Sequence, residues 1–265
     1  MNNISLKNLK PSSPGQRFTR LCKKKELLKL DRLKLRCIPN KINSGRNHSG
    51  QITLSHRGSG VKHHYRCIDL NHQSSNGLVE GYEYDPNRNT NLNRLFNPDL
   101  HHHNYVLGVR DISRGKILRS LKHAQLKNGH SLSLSNIPAG YVLHNVSTSK
   151  NKGGQYLRSA GTYGQLVQKT KTYALVKLRS GEHKQFSLSG SASIGSVCNE
   201  NYNIINLGKA GRKRWIGFRP TVRGVAINPV DHPHGGGEGK TSGGRPSVTP
   251  WGKPTKGQPT VKKHL

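Results

Sequence analysis

Acidic residues are scarce in this sequence. Its 265 residues include 12 Asp and Glu against 44 Lys and Arg, so the formal net charge is +32. A lone compact body with that charge repels itself, and cations in such excess gain most free energy by displacing counterions from a phosphate backbone. The imbalance therefore indicates a polyanionic partner, and nucleic acid is favoured over a membrane surface.

Long apolar runs and paired cysteines are also missing. No stretch approaches the roughly 20 apolar residues that span a bilayer, so we expect no membrane segment. The four cysteines form no C-x-x-C pair, which argues against a zinc ribbon or a disulfide scaffold and favours reduced thiols. Only 31% of the residues are hydrophobic, so we expect a modest core between extensions that cannot fold alone.

What the sequence does contain divides it into four parts. Residues 1–50 predict a basic N-terminal arm with at most a short helix in "KELLKLDRLKLR" (25–36). Residues 51–127 carry short β-prone runs, beginning with "QITLSH" and separated by Gly, Asn and Pro, which predict a small barrel. Residues 128–207 predict a second β-unit, whose clearest element is a hairpin within 171–190. Residues 208–265, rich in Gly and Pro, predict an extension that forms neither helix nor sheet and takes its shape from its partner.

The segment "NPVDHPHGGGEGK" (228–240) has the residue types of an active site. It is one glycine short of a phosphate-binding P-loop because His234 stands at the first glycine position, and prolines replace the expected strand and helix. Asp231, His232 and His234 could form a metal site or part of a triad, but no fourth ligand or positioned nucleophile is evident. A loop embedded in nucleic acid explains more, since glycines admit a phosphate to the backbone and histidines stack or hydrogen-bond with nucleotides.

Other candidate RNA contacts are cations among small residues and turns. "EYDPNR" (83–88) predicts a turn that projects Arg88, and "KGGQYLRSAGTYGQ" (152–165) places Arg158 in a loop; a plain surface charge is the alternative for both. The full set of predicted RNA-binding residues is Arg46, Arg57, Lys62, Arg88, Arg158, Lys209, Arg212, Lys213, Arg214, Trp215, Arg219, Arg223, His232, His234, Gly235, Gly236, Gly237 and Lys240.

Ten motifs run in one order along the chain. They are "KPSSPG" (10–15), "GRN" (45–47), "EYDPNR" (83–88), "NIPAG" (136–140), "HNV" (144–146), "GGQYLRSAGTY" (153–163), "LRSGE" (178–182), "LGKAGRKRW" (207–215), "RPTVRGVAINPVDHPHGGGEGK" (219–240) and "VTPWG" (248–252). Together they resemble universal ribosomal large-subunit protein two. The resemblance implies an all-β fold, with an OB-type barrel followed by an SH3-like barrel and extended basic N- and C-terminal arms that enter large-subunit rRNA.

The resemblance also implies a function. It implies a structural constituent of the large ribosomal subunit near the peptidyl transferase centre, which supports assembly, subunit association and tRNA placement. Expected partners are large-subunit rRNA, other ribosomal proteins, the small subunit at the interface and nearby tRNA. No enzyme activity, metal site or cofactor is expected, and rRNA-associated Mg²⁺ beside the tail is left open. His232 matches a histidine once proposed to aid peptide-bond formation, but we expect it to order local rRNA.

The rivals and the compartment follow from the same features. A hydrolase or NTPase built on 228–241 and a free-standing single-strand binder of the OB type are the alternatives. Because the family motifs start near residue 10, we expect no cleavable presequence. The Asn-rich, Met-poor composition favours a mitochondrion-encoded member in the mitochondrial matrix, with a bacterial cytoplasm or plastid as the alternative.

Overall fold

The computed structural model describes residues 6–23, 27–28, 31–71, 76–120, 124–150, 152–239, 241 and 244–257. Its strands are β1 Leu6–Asn8, β2 Arg20–Cys22, β3 Cys37–Pro39, β4 His64–Arg66, β5 Gly77–Glu83, β6 Leu92–Asn97, β7 His102–Leu107, β8 Ile117–Leu118, β9 Ser131–Ser133, β10 Val142–His144, β11 Gly164–Lys169, β12 Tyr173–Lys177, β13 His183–Ser187 and β14 Ser191–Ile194. Its helices are α1 Pro14–Arg17 and α2 Ala210–Trp215, with 3₁₀ turns at Lys34–Arg36, Leu134–Asn136, Glu200–Ile204 and Gly224–Ala226.

The first sheet is antiparallel in the order β7-β6-β5-β8. Successive side chains of β6 and β7 point to opposite faces, and both faces are covered. One face packs Val79, Leu95 and Val106 into a core with neighbouring loops, while the other buries Leu92 and Tyr105. A bridge from Ile68 to Tyr105 brings the β3-β4 ribbon against β7. Because both faces of this sheet are buried, packing on both sides stabilises its short strands.

The second sheet has six antiparallel strands in the order β13-β12-β11-β10-β14-β9. The predicted hairpin within 171–190 is confirmed as β12 and β13, in which Ala174 pairs with Phe186 and both are buried. Gly181 adopts φ +91° in the connecting turn, a left-handed conformation that favours glycine. The alternation of apolar residues therefore set the register of this hairpin.

The fold class is confirmed as all-β, with an OB-type sheet followed by an SH3-like sheet. The strand expected at "QITLSH" was wrong, because residues 51–56 contain only an isolated bridge from Ile52 to Arg46. The N–H groups of Thr53 and Leu54 both donate to the Gly45 carbonyl instead, which closes a loop. The four cysteines are free thiols.

The tail differs from its prediction at one place. Residues 208–257 were expected to form no helix, but α2 covers Ala210–Trp215. Alanine and the basic residues of this segment are good helix formers, and Gly217 at φ +96° ends the helix by donating its N–H to the Arg214 carbonyl. Beyond α2, the part of the tail that the structure describes has one 3₁₀ turn and no strand.

The chain divides into two compact units. One contains residues 1–42 and 61–213, and the other contains residues 43–60 and 214–265. Thus the loop at 43–60 belongs with the C-terminal segment rather than with the sheet that follows it in sequence. The boundaries at 50, 127 and 207 stay predictions. Within the described residues, no helix is both long and apolar enough to cross a membrane.

Candidate nucleic-acid interface

Several of the few acidic residues belong to a buried network of ion pairs and hydrogen bonds in the first unit. Arg66 Nε lies 2.9 Å from Glu83 Oε1, and Arg66 Nη1 lies 3.9 Å from Asp85 Oδ1. Tyr105 donates its hydroxyl to Glu83 Oε2 at 2.7 Å and accepts the Leu33 N–H at 2.8 Å. Burial raises the pKa of the Tyr105 hydroxyl, and its bond to Glu83 adds to this. These charges hold the N-terminal arm and the sheet together and do not face a ligand.

Arg88 is tied to this network. The predicted turn forms, because Asn87 donates its N–H to Asp85 Oδ1 at 2.9 Å. However, Arg88 Nε lies 2.7 Å from Asp85 Oδ2, and the guanidinium carbon is 5.6 Å from the centre of the Tyr65 ring. The expectation that the turn projects Arg88 was therefore wrong: the side chain folds back and is only 21% exposed. The contact of Arg88 with RNA stays a prediction. Only the exposed part of its side chain is free to make that contact.

Two further arginines of the same unit are ion-paired, Arg94 mostly buried and Arg110 exposed. Arg94 Nε is 2.5 Å from Glu80 Oε2, and Arg110 Nη1 is 2.7 Å from Glu200 Oε1. By contrast, several exposed arginines form no ion pair with any acidic residue that the structure describes. They are Arg46, Arg57, Arg158, Arg214, Arg219 and Arg223. All six are in the predicted RNA-binding set, and their charge is available to a phosphate.

Arg158 lies on a constrained loop between β10 and β11. Leu157 before it adopts φ +58°, a strained conformation for a branched residue. Two backbone bonds hold it there: the Asn145 N–H donates to the Leu157 carbonyl, and Val146 pairs with Tyr156. These bonds fix the residues just before Arg158 against the residues just after β10. The exposed Arg158 side chain therefore extends from a backbone of defined position.

The cations near α2 have mixed roles. Arg212 Nη1 donates to Thr19 Oγ1 at 2.8 Å and to the Leu207 carbonyl at 2.5 Å, so this side chain ties the N-terminal arm to the start of the helix. The Lys209 stem lies against Gly15 of the "KPSSPG" motif. Lys213 is exposed, as is Lys62 in the loop before β4, and Trp215 is 54% exposed.

The structure brings together two segments that are about 160 residues apart in sequence. One contains the predicted contact Arg57, and the other contains the predicted contact Arg219. Arg57 pairs with Phe218 across an antiparallel bridge, and its guanidinium carbon lies 4.3 Å from the centre of the Phe218 ring. Sequence reasoning missed this pairing, and no signal in either segment indicated it. It also missed Arg179 and Lys184, which lie over the rings of Tyr163 and Tyr156.

The segment at 224–239 is organised by its own hydrogen bonds. His232 Nδ1 accepts the His234 N–H at 3.0 Å, and His234 Nε2 accepts the Val248 N–H at 3.3 Å. A Cβ on Gly235 would lie 2.3 Å from the Asn228 carbonyl oxygen. Gly236 and Gly237 adopt φ +84° and +93°. The glycines are thus required by internal packing, and their contact with RNA stays a prediction; Lys240 lies outside the described residues.

The enzyme alternatives for this segment find no support. It follows a 3₁₀ turn at Gly224–Ala226, whereas a P-loop follows a buried strand and opens a helix. Across the described residues, no three His, Cys, Asp or Glu side chains are placed to share a metal ion. With Nδ1 already an acceptor, neutral His232 carries its proton on Nε2 and offers a donor rather than a base.

Comparisons with known proteins agree with the sequence motifs. Residues 35–120 match the family model "Ribosomal Proteins L2, RNA binding N-terminal domain", and residues 127–252 match "Ribosomal Proteins L2, C-terminal domain". The large ribosomal subunit protein uL2m of Reclinomonas americana is 45% identical over 261 residues, which cover 97% of this chain and 94% of that protein. This chain therefore belongs to the ribosomal protein L2 family, a family of structural, RNA-binding ribosomal proteins and not of enzymes.

Proposed function

We propose that this protein is a structural constituent of the large subunit of a mitochondrial ribosome. It binds large-subunit rRNA near the peptidyl transferase centre and supports assembly, subunit association and tRNA placement. The 45% identity to a large-subunit protein supports the subunit, and the family match supports RNA as the partner. The placement near the peptidyl transferase centre and beside tRNA follows from the family resemblance of the tail motifs.

One observation carries the RNA-binding role. Six exposed arginines, Arg46, Arg57, Arg158, Arg214, Arg219 and Arg223, have no described acidic partner, whereas Arg66, Arg88, Arg94 and Arg110 of the first unit do. An unpaired exposed guanidinium loses little hydration when it binds a phosphate, and it releases a counterion from the RNA. The division of the cations thus separates those that hold the fold from those that meet RNA.

Sedimentation tests the assignment to the ribosome. The tagged full-length chain should co-sediment with large subunits in a sucrose gradient of a mitochondrial lysate and stay there in about 0.1 M salt. Recovery only in the light fractions would identify a free-standing binder and overturn the proposal. If the purified chain hydrolyses nucleotides and His232→Ala abolishes that hydrolysis, the protein is an enzyme and the proposal is contradicted.

Directed cleavage tests the place on the subunit. Val230 is 90% exposed within the tail motif at 219–240, so a cysteine there can carry an iron chelate that cuts nearby RNA. After assembly, Val230→Cys should cleave rRNA of the peptidyl transferase region. The matched probe Val167→Cys on β11, 44% exposed, should cut a different set of nucleotides. Identical cuts from the two probes, or none near the peptidyl transferase region from Val230→Cys, would refute the placement.

A further inference from the structure

Two segments far apart in the chain form a short antiparallel ribbon in the second unit. Gly58 donates its N–H to the Gly217 carbonyl at 2.8 Å, and Arg219 donates its N–H to the His56 carbonyl at 2.9 Å. His56 Nδ1 also lies 3.1 Å from the Pro220 carbonyl oxygen. The segment around residue 57 is therefore fixed against the segment around residue 218 by two backbone hydrogen bonds and a contact of the His56 side chain.

The ribbon sorts its side chains onto two faces. Arg57 and Phe218 are directly opposite each other, so they share one face, where the guanidinium stacks on the ring. Their neighbours Gly58 and Arg219 point to the other face. The point at which a Gly58 side chain would begin lies 3.4 Å from Arg219 Cγ and 3.8 Å from Arg214 Nη1. Two arginine side chains thus border one notch.

The glycine at this notch is not explained by its backbone. Other glycines of the unit, such as Gly45 at φ +77° and Gly60 at φ +61°, adopt the left-handed conformation, but Gly58 does not. Its φ lies outside the left-handed region, so φ alone does not call for a glycine. Glycine leaves unfilled the one position that a Cβ would occupy in van der Waals contact with both Arg214 and Arg219.

The charges at the notch are uncompensated by the protein. Arg214 and Arg219 are both exposed, and neither forms an ion pair with an acidic residue that the structure describes. Arg214 Nη1 and the stem of Arg219 border the same point, so both cationic side chains are within reach of an anion placed there. Their planar forks match the oxygens of a phosphate group.

We propose that Arg214 and Arg219 hold a single RNA phosphate in the notch left by Gly58. This inference rests on the proposed function and specifies it, since it assigns two predicted contacts to one phosphodiester group. Arg57, stacked on Phe218, lies on the opposite face of the ribbon and binds separately. The site forms only when residues 56–58 and 217–219 are paired, so it couples the loop at 43–60 to the tail.

The dependence of affinity on salt counts the phosphates. The full-length chain and its variants would be titrated with a transcript of large-subunit rRNA at several KCl concentrations. If one phosphate is shared, Arg214→Gln or Arg219→Gln alone leaves a cation on it and should change the slope of log K against log [KCl] by well under one. The double variant should lower the slope by about one. Independent contacts would lower it by about one for each single variant and about two for the double, which would overturn the proposal.

Three further variants separate the effect of the notch from the effect of total charge. Gly58→Leu fills the notch without removing charge and should weaken binding as much as the double variant. Gly211→Leu is the matched control, since a Cβ there meets nothing within 4 Å, and it should bind like the wild type. Arg110→Gln removes an exposed cation that already pairs with Glu200, so its slope should not change. A Gly58→Leu variant with wild-type affinity would refute the site.

Inorganic phosphate distinguishes a free anion from the RNA backbone. Added at constant ionic strength, it should weaken rRNA binding by less than about threefold, because one contact among many contributes little to the total. A larger decrease that the double variant lacks would mark a site for free phosphate and overturn the RNA assignment. Failure of the wild-type chain to bind rRNA would instead overturn the proposed function, and it is visible before any variant is compared.

Discussion

Glu83 offers a sharp test of how the first sheet is stabilised. Its carboxylate accepts a hydrogen bond from Arg66 Nε at 2.9 Å and another from the Tyr105 hydroxyl at 2.7 Å. The side chains of Arg66 and Glu83 are 11% and 7% exposed. Burial opposes the charged form of Arg66, but the hydrogen bond to Glu83 together with the nearby charges, chiefly those of Glu83 and Asp85, raises the pKa of the guanidinium. Removing the carboxylate should leave a buried cation without its main partner.

The size of the effect follows from the geometry. Removing one partner of a buried ion pair costs about 3 to 5 kcal/mol of unfolding free energy. Glu83→Gln keeps an amide oxygen for Tyr105, and Asp85 still faces the Arg66 guanidinium at 3.9 Å, so we expect a loss of about 2 to 3 kcal/mol. Glu83→Ala also leaves the Tyr105 hydroxyl without an acceptor, so we expect about 4 kcal/mol.

Hydrogen exchange measures this in the full-length chain. Mass spectrometry of peptides covering β5 and β7 gives the free energy of opening of the first sheet, and peptides from β12 report the second sheet as an internal reference. Glu182→Gln is the control, because Glu182 is exposed in a turn and should change neither sheet. Adding Arg66→Met to Glu83→Gln should restore part of the loss, since it removes the orphaned charge. A loss below about 1 kcal/mol, or no recovery in the double variant, would refute the ion-pair reasoning.

Three other substitutions test different parts of the chain. Leu166→Ala removes a fully buried side chain of the second core and should cost about 3 kcal/mol by hydrogen exchange of β12, whereas the exposed neighbour Val167→Ala should cost less than about 0.5 kcal/mol. Gly235→Ala places a methyl group against two carbonyl oxygens and should speed proteolysis of the tail, while Gly211→Ala should not. Asp85→Asn should weaken rRNA binding by about threefold or more, because the arginine of its turn loses its anchor; equal binding would show that this arginine needs no fixed position.

Local sequence signals predicted the parts of the fold that depend on local patterns. Alternation of apolar residues located the β12-β13 hairpin, and the Asp85-Pro86-Asn87 turn formed as expected. "QITLSH" has the same β-prone composition, but it forms a loop because its N–H groups bond to Gly45 and the segment pairs with the tail. A composition rule cannot detect a partner about 160 residues away, since nothing in either segment specifies the other.

The candidate site divides in the same way. The sequence predicts which residue types meet RNA, but it does not show which cations are already engaged within the protein. Arg88 is held by Asp85 and Arg212 by Thr19, and both contacts arise from packing that no spacing rule describes. The three glycines at 235–237 were attributed to the approach of a phosphate, whereas carbonyl oxygens of the same tail exclude any side chain at Gly235.

The position of the acidic residues accounts for how a chain of net charge +32 can fold. Glu80, Glu83 and Asp85 each lie beside an arginine at the first sheet, where burial makes an unpaired charge costly. The exposed arginines of the tail need no such compensation, because water solvates them; on the proposed function, RNA phosphates replace that water. Adding a carboxylate next to one of the unpaired arginines would therefore leave the sheets as stable as before and lower the affinity for rRNA, whereas removing one from the first unit would weaken the sheet itself.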